Sequence, residues 1–206
     1  MSEEVPIYTA ITQKLWIKGI ERHPKPGRPL LKNPLAFEIE EYTSEDRELL
    51  RRLAFSGLRS NVIEFQERHR NALLKNLRPW RPSVSLATMF GNMAFLRSSN
   101  PLDMISNQSY HSIYLTFQEY FAAKYFVQTW QIRKNIECID FESDKYRCLT
   151  MSCEAFIQQH KYDAQCHIMW GFVTGLMNND GEDGEVESFL QIIEQEPSDL
   201  LGPANQ

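Results

Sequence analysis

The chain has 206 residues, enough for one large domain or two small ones with a real core. Apolar residues make up 42%, charged residues 24% and aromatics 12%, a globular balance that excludes whole-chain disorder. The formal net charge is −5, and nine of the 27 acidic residues lie beyond Lys161, where Lys and Arg are absent, which excludes a protein that coats nucleic acid from end to end.

The stretch Met1-Ser2-Glu3-Glu4-Val5-Pro6 has no basic run followed by an apolar one, so it does not read as a secretory signal. The longest apolar window, Cys166 to Met177, falls short of the roughly 18 residues a membrane span needs and contains His167, Gly171, Thr174 and Gly175. The expectation is a cytoplasmic protein with no membrane partner. Its four cysteines, Cys138, Cys148, Cys153 and Cys166, read as free buried thiols.

In chain order, Ile7, Ile11, Leu15 and Ile17 recur near helical spacing, predicting a helix over 7–19 with Gly19 as its stop. His23-Pro24-Lys25-Pro26-Gly27-Arg28-Pro29 reads as a loop, because proline fixes φ and removes a donor. Thr43 and Ser44 before Glu45 and Asp46 signal an N-cap, and the helix behind them buries Leu49, Leu50, Leu53 and Leu58, with Gly57 near its end. Val62-Ile63-Glu64-Phe65 is a short β-prone run, followed by a basic helix over 66–76 and another short helix from Ser83 or Ser85 to Met89. Strands are expected at 93–96 and 109–115, around a polar loop at 98–108.

Thr116-Phe117-Gln118-Glu119 fits a capping box, with Leu115 and Tyr120 as its staple. The helix from Phe117 to Trp130 is apolar nearly all round, through Tyr120, Phe121, Tyr125 and Phe126, and so must pack on more than one side. Beyond it, helices are expected over 145–160 and 163–178. A last acidic helix carries Val186, Phe189, Leu190 and Ile193 as one stripe and stops before Pro197. The expected fold is mainly α: an N-terminal helix and Pro-rich linker (1–39), a winged-helix domain with a small β wing (40–130), and a helical domain (131–206).

The run from Ser109 to Phe126, SYHSIYLTFQEYFAAKYF, resembles a signature of NACHT-type proteins, the NOD-like receptors among the STAND NTPases. Leu53-Ala54-Phe55-Ser56-Gly57-Leu58, Trp170-Gly171-Phe172-Val173-Thr174-Gly175-Leu176 and Glu196-Pro197-Ser198-Asp199-Leu200-Leu201-Gly202-Pro203 are similar to segments of the fungal members. The resemblance implies the region just after the NACHT core: a winged helix and a helical domain that fold over the core, help retain ADP and swing away on activation. Fungal relatives are associated with non-self recognition and programmed cell death. A protein partner, a NACHT core or repeat domain in cis or trans, follows from the same resemblance.

Two departures qualify that picture. The phosphate loop G-x-x-x-x-G-K-[ST] is absent, so no nucleotide cofactor is expected unless a NACHT core supplies the site, and the chain reads as a truncated relative without catalytic residues. The position where the family has an ADP-contacting histidine holds Tyr114, which cannot become a cation, and His111 would face the other side of the strand. Phe117, Tyr120, Phe121, Tyr125 and Trp170 are assigned structural roles, as are Thr116 and Glu119 through the cap.

Three sharper readings compete with bland ones. Thr116 and Glu119 as a catalytic pair competes with the helix cap. Cys153, His160, Cys166 and His167 as zinc ligands lack a structural-site spacing. Arg59, Arg68, Arg70, Lys75, Arg78 and Arg81, with Trp80, suggest a DNA-binding winged helix, but Glu64 and Glu67 share the stretch and point to a solvated face.

Overall fold

In the computed structural model the described residues are 4–25, 34–76, 86–104, 107–142, 145–179 and 183–195. The expected helix start at Ser83 or Ser85, together with Arg78, Trp80, Arg81 and segment 196–203, lies outside them. The described chain is mainly helical, with two small antiparallel sheets.

Helix α1 (Glu4–Arg22) is longer at both ends than expected and passes through Gly19. Helix α2 (Ala36–Tyr42) had no sequence signal; the Leu35 amide donates to the Glu38 carboxylate at 2.7 Å. Thr43 does stand at the N-cap of α3 (Ser44–Arg59), but its hydroxyl does not cap. It donates back to the Ile39 carbonyl at 2.6 Å and accepts from Arg47 Nε at 2.7 Å, so it joins α2 to α3. Leu49, Leu50, Leu53 and Leu58 of α3 are buried as the periodicity requires.

After α3 come β1 (Glu64–Phe65), α4 (Glu67–Asn76), α5 (Leu86–Asn92), β2 (Leu96–Ser98) and β3 (Tyr110–Ser112), in the spatial order β1-β3-β2. Tyr110 pairs with Phe65 on one side and Ser98 on the other. The expected strand at 93–96 is displaced toward the C-terminus, and the one at 109–115 is cut short because α6 (Leu115–Gln131) begins at Leu115.

That early start overturns the capping box. The N-cap is Tyr114, which makes no side-chain cap, and Phe117 N–H bonds the Tyr114 carbonyl at 3.1 Å. Thr116 is thus inside the first turn, Glu119 is buried, and Leu115 is too exposed to staple. The β3 pairing fixes where the chain turns, and the local motif loses to it.

The expected helix over 145–160 is the largest error. Cys148–Met151 is a strand, β5, paired antiparallel with β4 (Ile136–Ile139), and α7 is only Cys153–His160. Ser152 caps α7 by accepting from the Ala155 amide at 3.1 Å. A 3-10 turn (Ala164–Cys166) leads into α8 (His167–Asn179), and α9 (Asp183–Glu194) closes the order. In α9 Phe189 is buried and Ile192 packs against the core, whereas Leu190 stays exposed.

A single cluster of buried side chains runs from Val5 to Phe189, and residues on both sides of position 130 belong to it. Helix α6 lies at its centre, packed most closely against α3 and α8. Where α3 meets β1 and α6, Gly57 leaves no room for a side chain: an added Cβ would lie 2.6 Å from the Phe65 ring and 2.8 Å from Gln118 Nε2. The β4 edge is also covered by α3, since Ser56 and Ser60 hydroxyls accept from the Ile139 and Phe141 amides, both at 3.0 Å.

Candidate functional site

Every aromatic expected to be structural on α6 is used for packing. Phe117 lies 5.5 Å from the Tyr8 ring, Tyr120 lies 5.4 Å from Phe172, and Phe121 lies 4.9 Å from Phe95. Tyr125 sits 5.0 Å from Phe55, and Phe126 meets Trp170 edge-on at 5.3 Å. The polar tips are satisfied as well. Tyr120 shares a 3.1 Å hydrogen bond with Thr9, and the Tyr125 hydroxyl donates to the Glu137 carbonyl at 2.8 Å. Burial pushes the Tyr125 phenol up to about 12, so it remains a neutral donor.

Glu119 differs from its neighbours. It is 5% exposed, its Oε2 has no hydrogen-bond partner among the described residues, and burial raises its pKa. With no nucleophile or base shown against it, the pair Thr116 and Glu119 does not form a catalytic arrangement.

Tyr114 stands where β3 gives way to α6, with extended backbone and a side chain 69% exposed. Its ring lies 6.3 Å from Phe117, leaving the hydroxyl toward solvent at the amino end of a 17-residue helix. His111 is directed elsewhere, with Nδ1 3.0 Å from the Ser99 hydroxyl.

A cleft of about 390 Å³ opens at the carboxyl end of α1, a place the sequence marked only as a loop. Trp16, Gly19 and Ile20 come from α1, Tyr42, Thr43 and Asp46 from the α2–α3 junction, and Met89, Asn92 and Met93 from α5 and its end. Lys25 closes one wall with its Nζ 3.0 Å from the Asp46 carboxylate and 5.9 Å from the Tyr42 ring centre. The Lys25 amide donates to the Tyr42 hydroxyl at 2.7 Å, and Arg47 covers the Trp16 ring at 5.2 Å. Trp16 with Ile20, and Met89 with Met93, each stand four apart, the only local signal of this surface.

The other sequence candidates do not converge. Cys153 Sγ is 3.9 Å from the Lys134 carbonyl, and His160 Nδ1 pairs with Asp163 at 2.7 Å. Among the described residues no three His, Cys, Asp or Glu side chains are grouped for a metal ion. Burial pushes the Cys138 thiol up to about 11 and those of Cys153 and Cys166 up to about 12. Three thiols are free and buried as expected, whereas Cys148 is exposed. The basic segment is broken up too. Arg70 is 3% exposed, stacked 5.1 Å from Tyr110 and 5.5 Å from Phe90, and Arg59 pairs with Asp140 at 3.4 Å. Arg68 and Lys75 remain exposed on α4.

No described helix is long and apolar enough to cross a membrane. No family model, curated protein or solved structure matches the chain.

Proposed function

We propose that the chain is a non-catalytic regulatory or interaction module, similar to the winged-helix and helical arm that follows the core of fungal NACHT proteins. The observation that carries this reading is connectivity. Helix α3, strand β1, helices α4 and α5, and strands β2 and β3 follow one another with the sheet order β1-β3-β2. This is the order of a winged helix, and β3 runs straight into a helix buried on several sides. An arm of this kind transmits a change at one end because its core moves as a unit.

The partner in this reading is a protein, in cis or in trans, and ADP or ATP enters only with a NACHT core. Tyr114 is the residue placed to meet it, as an exposed neutral donor at a helix start. The loop between β2 and β3 supports a protein partner, presenting Leu102 (99% exposed) and Met104 (72% exposed). In calorimetry, ADP and ATP with magnesium should release no binding heat with the chain alone. An equimolar fungal NACHT core should retain ADP longer in its presence, and less so with Tyr114→Ala. Micromolar nucleotide affinity of the isolated chain would end the proposal.

A DNA-binding winged helix is the second reading, and α5 weighs against it. The helix that would enter the major groove reads LATMFGN and has no Lys or Arg to neutralise phosphate. The competing reading requires salt-dependent retention on duplex DNA that Arg68→Glu with Lys75→Glu removes.

A further inference from the structure

The cleft at the end of α1 has a polar group in need of a partner. Tyr42 already accepts from the Lys25 amide, and the Thr43 hydroxyl is occupied by Ile39 and Arg47. Lys25 Nζ is shut off from solvent and has an ion pair with Asp46, yet it makes no hydrogen bond among the described residues. An ammonium carries three donors, and leaving them unmatched in a dry wall is costly. Beside Lys25, the lining has Arg22 at its mouth, so its formal charge is positive even with Asp46 counted. The floor is apolar: Trp16, Ile20, Met89 and Met93 are each at most 5% exposed. Methionine adapts its shape to irregular guests.

We propose that this cleft binds a small amphipathic carboxylate, its apolar body against Trp16, Ile20, Met89 and Met93 and its carboxylate on Lys25. The volume of about 390 Å³ falls within the roughly 300–1,000 Å³ of small-molecule sites. It is too small for a partner helix, whose diameter alone is about 10 Å. The carboxylate accepts from the ammonium donors that Asp46 leaves unused, and Arg22 adds favourable charge from the rim.

The test uses the full chain with methyl-labelled methionine, 4-phenylbutyrate as probe and 4-phenylbutan-1-ol as its uncharged counterpart. Of the seven methionines, only Met89 and Met93 should shift with the acid, and the alcohol should bind roughly tenfold more weakly. Lys25→Met should reduce acid affinity by about the same factor and leave the alcohol unchanged. Gly19→Leu supplies the second arm. An added Cβ there meets nothing nearer than the Asn92 carbonyl at 3.9 Å, and glycine is a poor helix former, so the variant should fill the cleft and keep its melting temperature. Loss of both ligands in a folded Gly19→Leu chain supports the site. The proposal fails if Met89 and Met93 do not move at millimolar probe, if binding survives in Gly19→Leu, or if acid and alcohol bind alike.

Discussion

At Gly57 a single missing methyl decides how close three elements come. The Phe65 ring is 1% exposed and has nowhere to retreat, so an alanine would overpack the junction. Overpacking costs about 1–3 kcal/mol, against at most about 1 kcal/mol gained in helix propensity. Gly57→Ala is therefore expected to lower the denaturant midpoint. Glu119 makes the opposite case, a residue the fold tolerates at a cost. Burial raises its folded-state pKa above the unfolded value, so the folded chain holds that proton more tightly. Its contribution is favourable below the unfolded carboxyl range and is lost as pH rises through the raised value. Glu119→Gln should flatten that part of the stability profile and raise the melting temperature at neutral pH. Thiol chemistry sorts by burial in the same way. A thiol reagent should label Cys148 rapidly, and Cys138, Cys153 and Cys166 only at the unfolding rate.

At the scale of elements, two contacts replace features that local sequence did not supply. The β4–β5 hairpin lies against α3 because Ser56 and Ser60 receive its edge amides. Ser56→Ala leaves the Ile139 amide buried without an acceptor, an expected loss of about 1–3 kcal/mol read by denaturant titration. Helix α9 lacks a basic residue in its last turn, and α7 provides one from outside. The Lys161 ammonium donates to the Ile193 carbonyl at 2.8 Å and also to that of Gln195, while Gln158 donates to Ile192 at 2.9 Å. A cation at a helix carboxyl end also complements its dipole. Lys161→Met should speed amide exchange in the last turns of α9 well before it affects α6.

For the whole molecule, α6 is the member that both halves share. Phe126 is fully buried and touches Trp130, Phe156, Trp170 and Phe189, so Phe126→Ala is expected to cost about 3–5 kcal/mol. Because the core passes through position 130 without interruption, unfolding should be one transition by circular dichroism and by tryptophan fluorescence. Separate midpoints for the two probes would show that the halves are independent.

The sequence by itself determined what depends on neighbours in the chain. The stripe on α3, the apolar girth of α6 and the buried Phe189 were legible because helical periodicity is a local property. So was the succession of helices and strands from α3 to β3. Tertiary structure decided the features whose partners are distant. Residues 148–151 became a strand because Ile136–Ile139 was available to pair, and Arg70 became a core residue because Phe90 and Tyr110 cover it. Tyr114 displaced Thr116 as the N-cap because β3 sets the turn. The cleft is the fullest case. Its walls come from three segments far apart in the chain, and no local pattern encodes their meeting.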